Sequence, residues 1–271
     1  MNSGISQKQI LRFENGKKVE KMDDIAVEEP LEISIQSKDS GIQKISITMR
    51  TPGNDMDLAN GFLFTEGIIQ EMNQIKKVFH SQTLPGVESN YITVELADDV
   101  RFDPSNMQRN FYTTSSCGVC GKGSIEAIKT VSKYSGDVHQ ISVSEEILFS
   151  LNYKLRNAQN AFDKTGGIHA SALFDLEGNL IALREDVGRH NALDKLIGMQ
   201  WMSGNLPLNQ HILLLSGRAS FELVQKAAMA GIRFVAAVGA PSSLAIETAE
   251  SFGITLIGFL GSGRFNRYTN F

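Results

Sequence analysis

The chain has 271 residues, of which 42% are hydrophobic, and 26 basic side chains against 30 acidic ones give a formal net charge of −4. This balance argues against a general affinity for nucleic acid or for anionic membranes, because both need an excess of positive charge. The first residues lack the layout of a signal peptide, and no apolar run reaches about 18 residues. We therefore expect a soluble cytoplasmic protein, long enough for two modest domains.

Residues 1–110 are predicted to form a small α+β domain. Alternating apolar and polar residues predict a strand pair within 10–22, turning at Asn15-Gly16. One helix is predicted over 56–69, where the side chain of Asn54 or Asp55 caps the first amides. Further strands are predicted at 31–35, 44–50, 74–80 and 91–96.

Residues 111–271 are predicted to form a three-layer α/β/α domain. Its later strands are nearly continuous apolar runs, which is typical of strands covered on both faces. Strands 167–175 and 179–185 are predicted to pair through the turn Glu177-Gly178-Asn179. Helices are predicted at 124–133, 144–162, 189–199, 221–231 and 243–253, with strands at 211–217, 233–239 and 254–261.

The order of elements in this second part is similar to that of the cytidine-deaminase-like fold. Gly167-Ile168-His169-Ala170 stands where those zinc enzymes carry a metal ligand. Ser171 replaces their catalytic glutamate, however, and both cysteines lie upstream of His169. We therefore expect a cytidine-deaminase-like scaffold without the deaminase reaction.

The only two cysteines, Cys117 and Cys120, stand in the stretch TTSSCGVCGKGS at 113–124. In a reducing compartment such a pair indicates redox, metal-binding or sulfur-handling chemistry rather than a structural disulfide. Lys122 and the predicted helix start favour the thiolate form, and the glycines leave the thiols accessible. We expect Cys117 to be the nucleophile and Cys120 to assist it or to act as a resolving thiol.

Other interpretations of this pair stay open. A dithiol oxidoreductase would cycle both thiols through a disulfide, whereas a non-catalytic chaperone would use them only structurally. A zinc site would need two more ligands, which a second copy could supply. We expect no permanently bound metal, because the histidines show no suitable spacing at positions 80, 139, 169, 190 and 211.

Several longer motifs resemble the FdhD/NarQ family, the formate dehydrogenase accessory sulfurtransferases. They are TTSSCGVCG (113–121), TGGIHAS (165–171), REDVGRHNALDK (184–195), SGRAS (216–220), TPG (51–53) and LAxGFL (58–63). The resemblance implies that a cysteine desulfurase donates sulfur, which Cys117 carries as a persulfide. It implies that the acceptor is the bis-molybdopterin guanine dinucleotide form of the molybdenum cofactor, destined for the catalytic subunit of formate dehydrogenase. It also implies a homodimer, and we expect neither nucleic acid nor membrane as a partner.

The resemblance further implies a cofactor-binding segment near the end of the chain. Its residues are Phe259, Leu260, Gly261, Ser262, Gly263 and Arg264. Two predicted strand-to-helix turns are expected to hold the same anionic cofactor through backbone amides and positive charge, with His169 beside them. They contribute Ser216, Gly217 and Arg218 from one turn and Arg189 and His190 from the other, and the turn at 239–243 is a third of this kind.

Each of these turns also has a plainer interpretation. A Gly-Ser turn after a strand is often only a tight connection. Arg189 and Asp194 could be a pair on a helix surface, and His169 could be a core histidine. The group Asp186, Arg189 and His190 is more polar than a simple connection requires, which favours a functional site there.

Overall fold

The computed structural model describes residues 4–81, 89–102, 132–134 and 141–269. Nearly all of the helix predicted at 124–133 lies outside these ranges. Within them, no helix combines the length and apolar character needed to cross a membrane.

The chain begins with an antiparallel hairpin of β1 (Ile5–Glu14) and β2 (Lys17–Ala26). Asn15 and Gly16 form its turn with φ angles of 50° and 72°. Two successive residues in this left-handed region are what a type I′ turn requires, and Asn-Gly adopts it at low cost. The predicted Asn-Gly hairpin is confirmed.

A four-stranded mixed sheet follows, and its strands lie where four strands were predicted. Its order is β4-β3-β6-β5, in which β3 and β6 are parallel and the other neighbours are antiparallel. A 3-10 turn at Met72–Gln74 leads into the edge strand β5. The strands are β3 (Glu29–Ser37), β4 (Gly41–Arg50), β5 (Ile75–His80) and β6 (Tyr91–Leu96).

The first helix, α1 (Asp55–Thr65), covers this sheet, but its ends differ from the prediction. Asn54 at the N-cap has a left-handed φ of 56° and makes no side-chain capping bond. The carboxylate of Asp55 instead accepts hydrogen bonds from the buried guanidinium of Arg50 at 3.0 and 3.1 Å. The helix stops at Thr65 because Gly67, with φ of 71°, turns the chain away.

A six-stranded sheet with the order β12-β11-β10-β9-β7-β8 forms the second half of the molecule. Strands β9, β10 and β11 are parallel, while β7 is antiparallel to both β8 and β9. Its short edge strand β12 was not predicted. The strands are β7 (His169–Phe174), β8 (Leu180–Asp186), β9 (Ile212–Leu215), β10 (Phe234–Ala237), β11 (Thr255–Gly258) and β12 (Asn266–Arg267).

Helices cover both faces of this sheet, so the predicted three layers are confirmed. Strand residues alternate between two buried clusters, and α2 packs with one of them while α4, α5 and α6 pack with the other. The single helix predicted at 144–162 is divided at Gln159 into α2 and α3. The helices are α2 (Glu145–Ala158), α3 (Asn160–Thr165), α4 (Arg189–Met202), α5 (Phe221–Met229) and α6 (Ser243–Ser251).

The two sheets share one hydrophobic core. A single buried cluster includes Ile33 of β3, Leu196 of α4 and Leu213 of β9. Helices α1 and α4 cross at Gly61 and Gly198, where a Cβ atom on either glycine would lie within 2.0 Å of a carbonyl oxygen on the other helix. The boundary at residue 110 stays a prediction, because the apolar packing is continuous from one sheet to the other.

Candidate functional site

The loops that follow β9, β10 and β11 lie side by side at the edge where these parallel strands end. The amide of Gly239 donates to the carbonyl of Gly217 at 2.9 Å, and the amide of Phe259 donates to the carbonyl of Gly239 at 3.1 Å. Gly239 permits this approach, because a Cβ there would be 3.0 Å from the backbone of Arg218. We call residues 216–220, 239–242 and 259–264 the loop shelf.

Ser216 attaches the loop shelf to the start of β7. Its hydroxyl accepts the Ala170 amide at 2.8 Å, and its own amide donates to the Ala170 carbonyl at 3.0 Å. Gly217 lies against the ring of His169, since a Cβ on this glycine would be 3.4 Å from Nδ1. His169 therefore lies next to the shelf, and the hydrogen bond between Ser216 and Ala170 fixes the start of β7 in this position.

His169 is half-buried and lies among positive charges. Burial lowers its pKa below the usual value, and the charges of Arg189 and His190 lower it further, with Asp186 acting in the opposite direction. The ring is thus mainly neutral at pH 7. A bound anion would offset these causes and draw a proton onto it.

Arg189 and His190 begin α4 beside the shelf. The Nε of Arg189 is buried and has no hydrogen-bond partner among the described residues. His190 Nε2 lies 3.4 Å from the hydroxyl of Ser220 and 3.7 Å from a carboxylate oxygen of Glu222. The nearby imidazole of His190 is the largest cause of the lowered pKa of Glu222, which is about 2. Glu222 was missed from the sequence, although its place in the first turn after Ser220 marked it as a helix-start acid.

Asp186 has a structural role in this site. Its carboxylate is fully buried and accepts the amides of Thr51 at 3.1 Å and Gly188 at 2.8 Å. The ammonium of Lys195 lies 2.7 Å away and also donates to the Thr51 carbonyl at 2.8 Å. Asp186 therefore fixes the start of α4 against the loop before α1, and is not free to bind a ligand.

The interpretation of Arg189 and Asp194 as a pair on the helix surface is wrong. Asp194 is buried, lies 3.0 Å from the ammonium of Lys226 and accepts the Thr65 hydroxyl at 2.7 Å. Lys226 is also 2.8 Å from Glu66. Burial acts to lower the pKa of Lys226, but the two carboxylates outweigh it and raise the pKa. This buried ionic group connects α1, α4 and α5.

In the last part of the shelf, residues 259–264, one side chain is buried in the core and others are exposed. Leu260 is 1% exposed and packs in the core, so only its main chain can contribute to the shelf. Phe259 has a left-handed φ of 54° and is 42% exposed. Gly261 donates to the carbonyl of Arg264 at 3.0 Å, which closes the turn around Ser262 and Gly263. Arg264 is exposed, as is Arg218 on the neighbouring loop.

Twelve of the predicted site residues lie among the described residues. The structure brings eleven of them together at one edge of the sheet, where Leu260 contributes its main chain. It leaves one group of predictions without a position: Cys117 and Cys120 lie outside the described residues.

Comparison with known proteins gives matches over nearly the whole chain. The model of the FdhD/NarQ family matches residues 26–271. The sulfur carrier protein FdhD of Streptomyces avermitilis is 46% identical over 266 residues, which cover 97% of this chain and 93% of that protein. The protein of the same name from Picrophilus torridus is 45% identical over 249 residues, which cover 92% and 90%.

One solved structure shows the same fold. It is a chain from Desulfotalea psychrophila, named as a formate dehydrogenase accessory protein, with a TM-score of 0.73 and 22% identity. The match covers 98% of this chain and 96% of that one. A guanine deaminase from Nitrosomonas europaea aligns over 48% of the chain with a TM-score of only 0.32, so the cytidine-deaminase-like assignment stays a prediction.

Proposed function

Since the chain belongs to the FdhD/NarQ family, we propose that it is a cytoplasmic sulfur carrier that serves a formate dehydrogenase. The observation that carries this proposal is the similarity to relatives named sulfur carrier protein FdhD. Two of them are 45–46% identical to this chain, and the matches cover 92–97% of it and 90–93% of the relatives. The fold shared with a protein named as a formate dehydrogenase accessory protein supports the second half.

The sulfur is taken up by Cys117. Its thiolate attacks the outer sulfur of a persulfide on a cysteine desulfurase, the sulfur–sulfur bond breaks, and the desulfurase cysteine leaves as a thiolate. The exchange leaves a persulfide on Cys117 and needs no added oxidant. Cys120 assists this step or acts as a resolving thiol. In the first case the acceptor takes the outer sulfur and Cys117 leaves as a thiolate; in the second, Cys120 attacks the inner sulfur, a Cys117–Cys120 disulfide forms, and the outer sulfur leaves as sulfide for the acceptor.

The acceptor is the bis-molybdopterin guanine dinucleotide form of the molybdenum cofactor, held as a substrate at the loop shelf. The charges support an anionic ligand, because Arg218 and Arg264 are exposed there and the unpaired Nε of Arg189 lies nearby. The starts of α4, α5 and α6 follow β8, β9 and β10 at the same edge, and helix N-termini attract phosphate. A sulfur carrier that holds the cofactor here would present it to the catalytic subunit of formate dehydrogenase.

The experiment is intact-protein mass spectrometry after incubation with a cysteine desulfurase and free cysteine. Wild type should gain mass in units of one sulfur, reversibly on reduction, and Cys117→Ala should not. Cys120→Ala tests whether Cys120 only assists. If it does, the variant should still gain sulfur, but more slowly than wild type. If no form gains sulfur, the transferase is refuted and a non-catalytic cofactor chaperone takes its place.

Two further measurements address the ligand and the assembly. GDP, which represents the nucleotide part of the cofactor, should bind wild type and Cys117→Ala equally, because the shelf does not include the thiols. Sedimentation should show a homodimer. Weaker GDP binding by Cys117→Ala would contradict the proposal that the sulfur-carrying cysteine and the nucleotide site are separate.

A further inference from the structure

Glu222 places a negative charge beside the arginines of the loop shelf. It lies in the first turn of α5, two residues after Ser220 at the end of the shelf segment 216–220. Arg218 stands four residues before it, and Arg189 begins α4 at the neighbouring strand-to-helix turn. A carboxylate in this place repels phosphate, so a site for phosphate alone does not account for Glu222.

The carboxylate of Glu222 is accessible and charged. Its side chain is 38% exposed, and its Oε2 lies 3.7 Å from Nε2 of His190. The pKa of Glu222 is about 2, so the group is ionised at pH 7. A carboxylate has about four acceptor positions, and one imidazole at this distance leaves acceptor positions for a ligand that reaches the shelf.

Glu222 also has a plainer role as the acid of a helix start. A negative charge in the first turn stabilises a helix through its dipole, and the same carboxylate restrains the ring of His190. Glu146 occupies the equivalent position in α2, two residues after the N-cap Ser144. In this role Glu222 would affect the binding of every nucleotide by the same factor, whatever its base.

The loop shelf is wide enough for a base and its phosphates to lie at different ends. Residues 259–264 follow β11, whereas Glu222 follows β9, and β10 lies between these two strands. Two strand spacings amount to about 10 Å. An extended nucleotide bridges such a gap, so phosphates beside Arg264 are compatible with a base at Glu222.

The chemistry of an ionised carboxylate selects among bases. A carboxylate only accepts hydrogen bonds, and it pairs best with two donors that lie side by side. Guanine offers such a pair in N1–H and its 2-amino group. Hypoxanthine keeps N1–H but lacks the amino group, and adenine presents an unprotonated N1, which a carboxylate repels. A pterin ring carries the same pair of donors as guanine.

We propose that the carboxylate of Glu222 accepts hydrogen bonds from N1–H and the 2-amino group of a guanine ring whose phosphates lie on the loop shelf. This inference rests on the proposed function, since the substrate cofactor contains guanine. It goes beyond that function because it assigns the choice of base to one side chain. The arginines of the shelf bind the phosphates of any nucleotide, and Glu222 distinguishes guanine.

The test compares the calorimetric binding of GDP and IDP, which differ only in the 2-amino group. Wild type should bind GDP about tenfold more tightly than IDP, because IDP lacks one hydrogen bond to a charged acceptor. Glu222→Gln keeps the shape of the side chain but turns one acceptor into a donor, so the ratio of the two affinities should fall to about one. A helix-start role would leave that ratio as it is in wild type.

Glu146→Gln is the matched control, because it removes the same charge from the first turn of another helix. Helix α2 has 14 residues and is therefore about 21 Å long. Its last turn is the end nearer the shelf, since the first amides of α3 donate to Glu185 at the end of β8. This control should bind both nucleotides as wild type does. His190→Gln, which removes the ion-pair partner of Glu222, should change both affinities by one factor and keep the ratio.

Two results would overturn the base recognition. One is equal affinity of wild type for GDP and IDP, which needs no variant, and the other is a Glu222→Gln protein that keeps the wild-type ratio. 6-Hydroxymethylpterin is the third probe. If Glu222→Gln weakens only the binding of this probe, the carboxylate recognises the pterin and the assignment to guanine is wrong.

Sulfur loading of wild type, measured by mass spectrometry, separates this inference from the proposed function. A protein that loads sulfur but binds GDP and IDP equally loses the base recognition and keeps the sulfur carrier. A protein that loads sulfur and binds neither nucleotide loses the base recognition together with the cofactor part of the proposed function.

Discussion

The close crossing of α1 and α4 predicts that adding one methyl group at this contact destabilises the protein. In Gly198→Ala the new Cβ would lie 2.0 Å from the carbonyl oxygen of Asp57 and 2.6 Å from the amide nitrogen of Gly61. Both contacts are with backbone, so no side-chain rotation relieves them, and the helices must separate by about 1 Å or more. Separation would also loosen the stacked rings of Phe64 and Trp201, whose centroids are 4.7 Å apart.

Two effects of opposite sign decide the result. Overpacking of this kind costs about 1–3 kcal/mol or more, whereas alanine is better than glycine inside a helix by about 1 kcal/mol. Because both clashes are with backbone, the upper end of the overpacking range applies, and we expect a net loss of about 2 kcal/mol in the free energy of unfolding. For a chain of this size that corresponds to a Tm lower by roughly 4–8 °C.

Thermal unfolding followed by circular dichroism measures this difference. Gly167→Ala is the control, because Gly167 has no left-handed φ and, within the described ranges, a Cβ there would approach only the carbonyl oxygen of Thr165, at 3.8 Å. Gly61→Ala should match Gly198→Ala, and the double variant should lose less than the sum since both methyl groups open the same contact. A Gly198→Ala protein as stable as wild type, or more stable, would show that helix propensity alone acts there and would refute the close crossing.

Other predictions concern the buried charges and the shelf. Lys226→Met leaves the buried carboxylate of Asp194 unpaired and should cost about 3–5 kcal/mol in urea unfolding; a loss below 1 kcal/mol would contradict the buried ionic group. Because the pKa of His169 is lowered, acidification through pH 6.5 should destabilise the free protein and tighten GDP binding through proton uptake, and His169→Gln should flatten both pH profiles. If stability and GDP binding of His169→Gln kept the pH dependence of wild type, His169 would not be the group that titrates. Arg218→Ala should weaken GDP binding about tenfold and reduce its salt dependence, whereas Arg12→Ala, an exposed arginine of the β1–β2 hairpin, should change neither.

The secondary structure was largely readable from the sequence, because the signals for it are local. Asn15-Gly16 predicts its turn from the φ angles that two residues can adopt. The apolar runs of β9 to β11 predict strands covered on both faces, and the three-layer arrangement follows from their alternation with helices. Local signals failed at Asp55, where the expected cap is an ion-pair partner of Arg50, and at Gln159, where one predicted helix is two.

The candidate site was predicted in part for a similar reason. Parallel strands place their carboxyl ends at one edge, so turns such as Ser216–Arg218 and the segment 259–264 were expected to meet there. The local sequence could not show that Ser216 hydrogen-bonds to the start of β7 or that Leu260 is buried in the core. It also could not show that Thr51 and Lys195 surround the carboxylate of Asp186. Those roles depend on partners remote in the chain.

The sequence by itself determined which segments are helix, strand or turn, and through its motifs it indicated the family, because both are recorded in short stretches of the chain. Only the tertiary structure decided which polar side chains are free to meet a ligand. Asp194 and Gln159 look alike in the sequence as polar residues within predicted helices. In the structure Asp194 pairs with Lys226, whereas Gln159 is buried and has no hydrogen-bond partner among the described residues. That difference arises because burial and pairing are set by residues brought together from distant parts of the chain, and neither is a property of any local pattern.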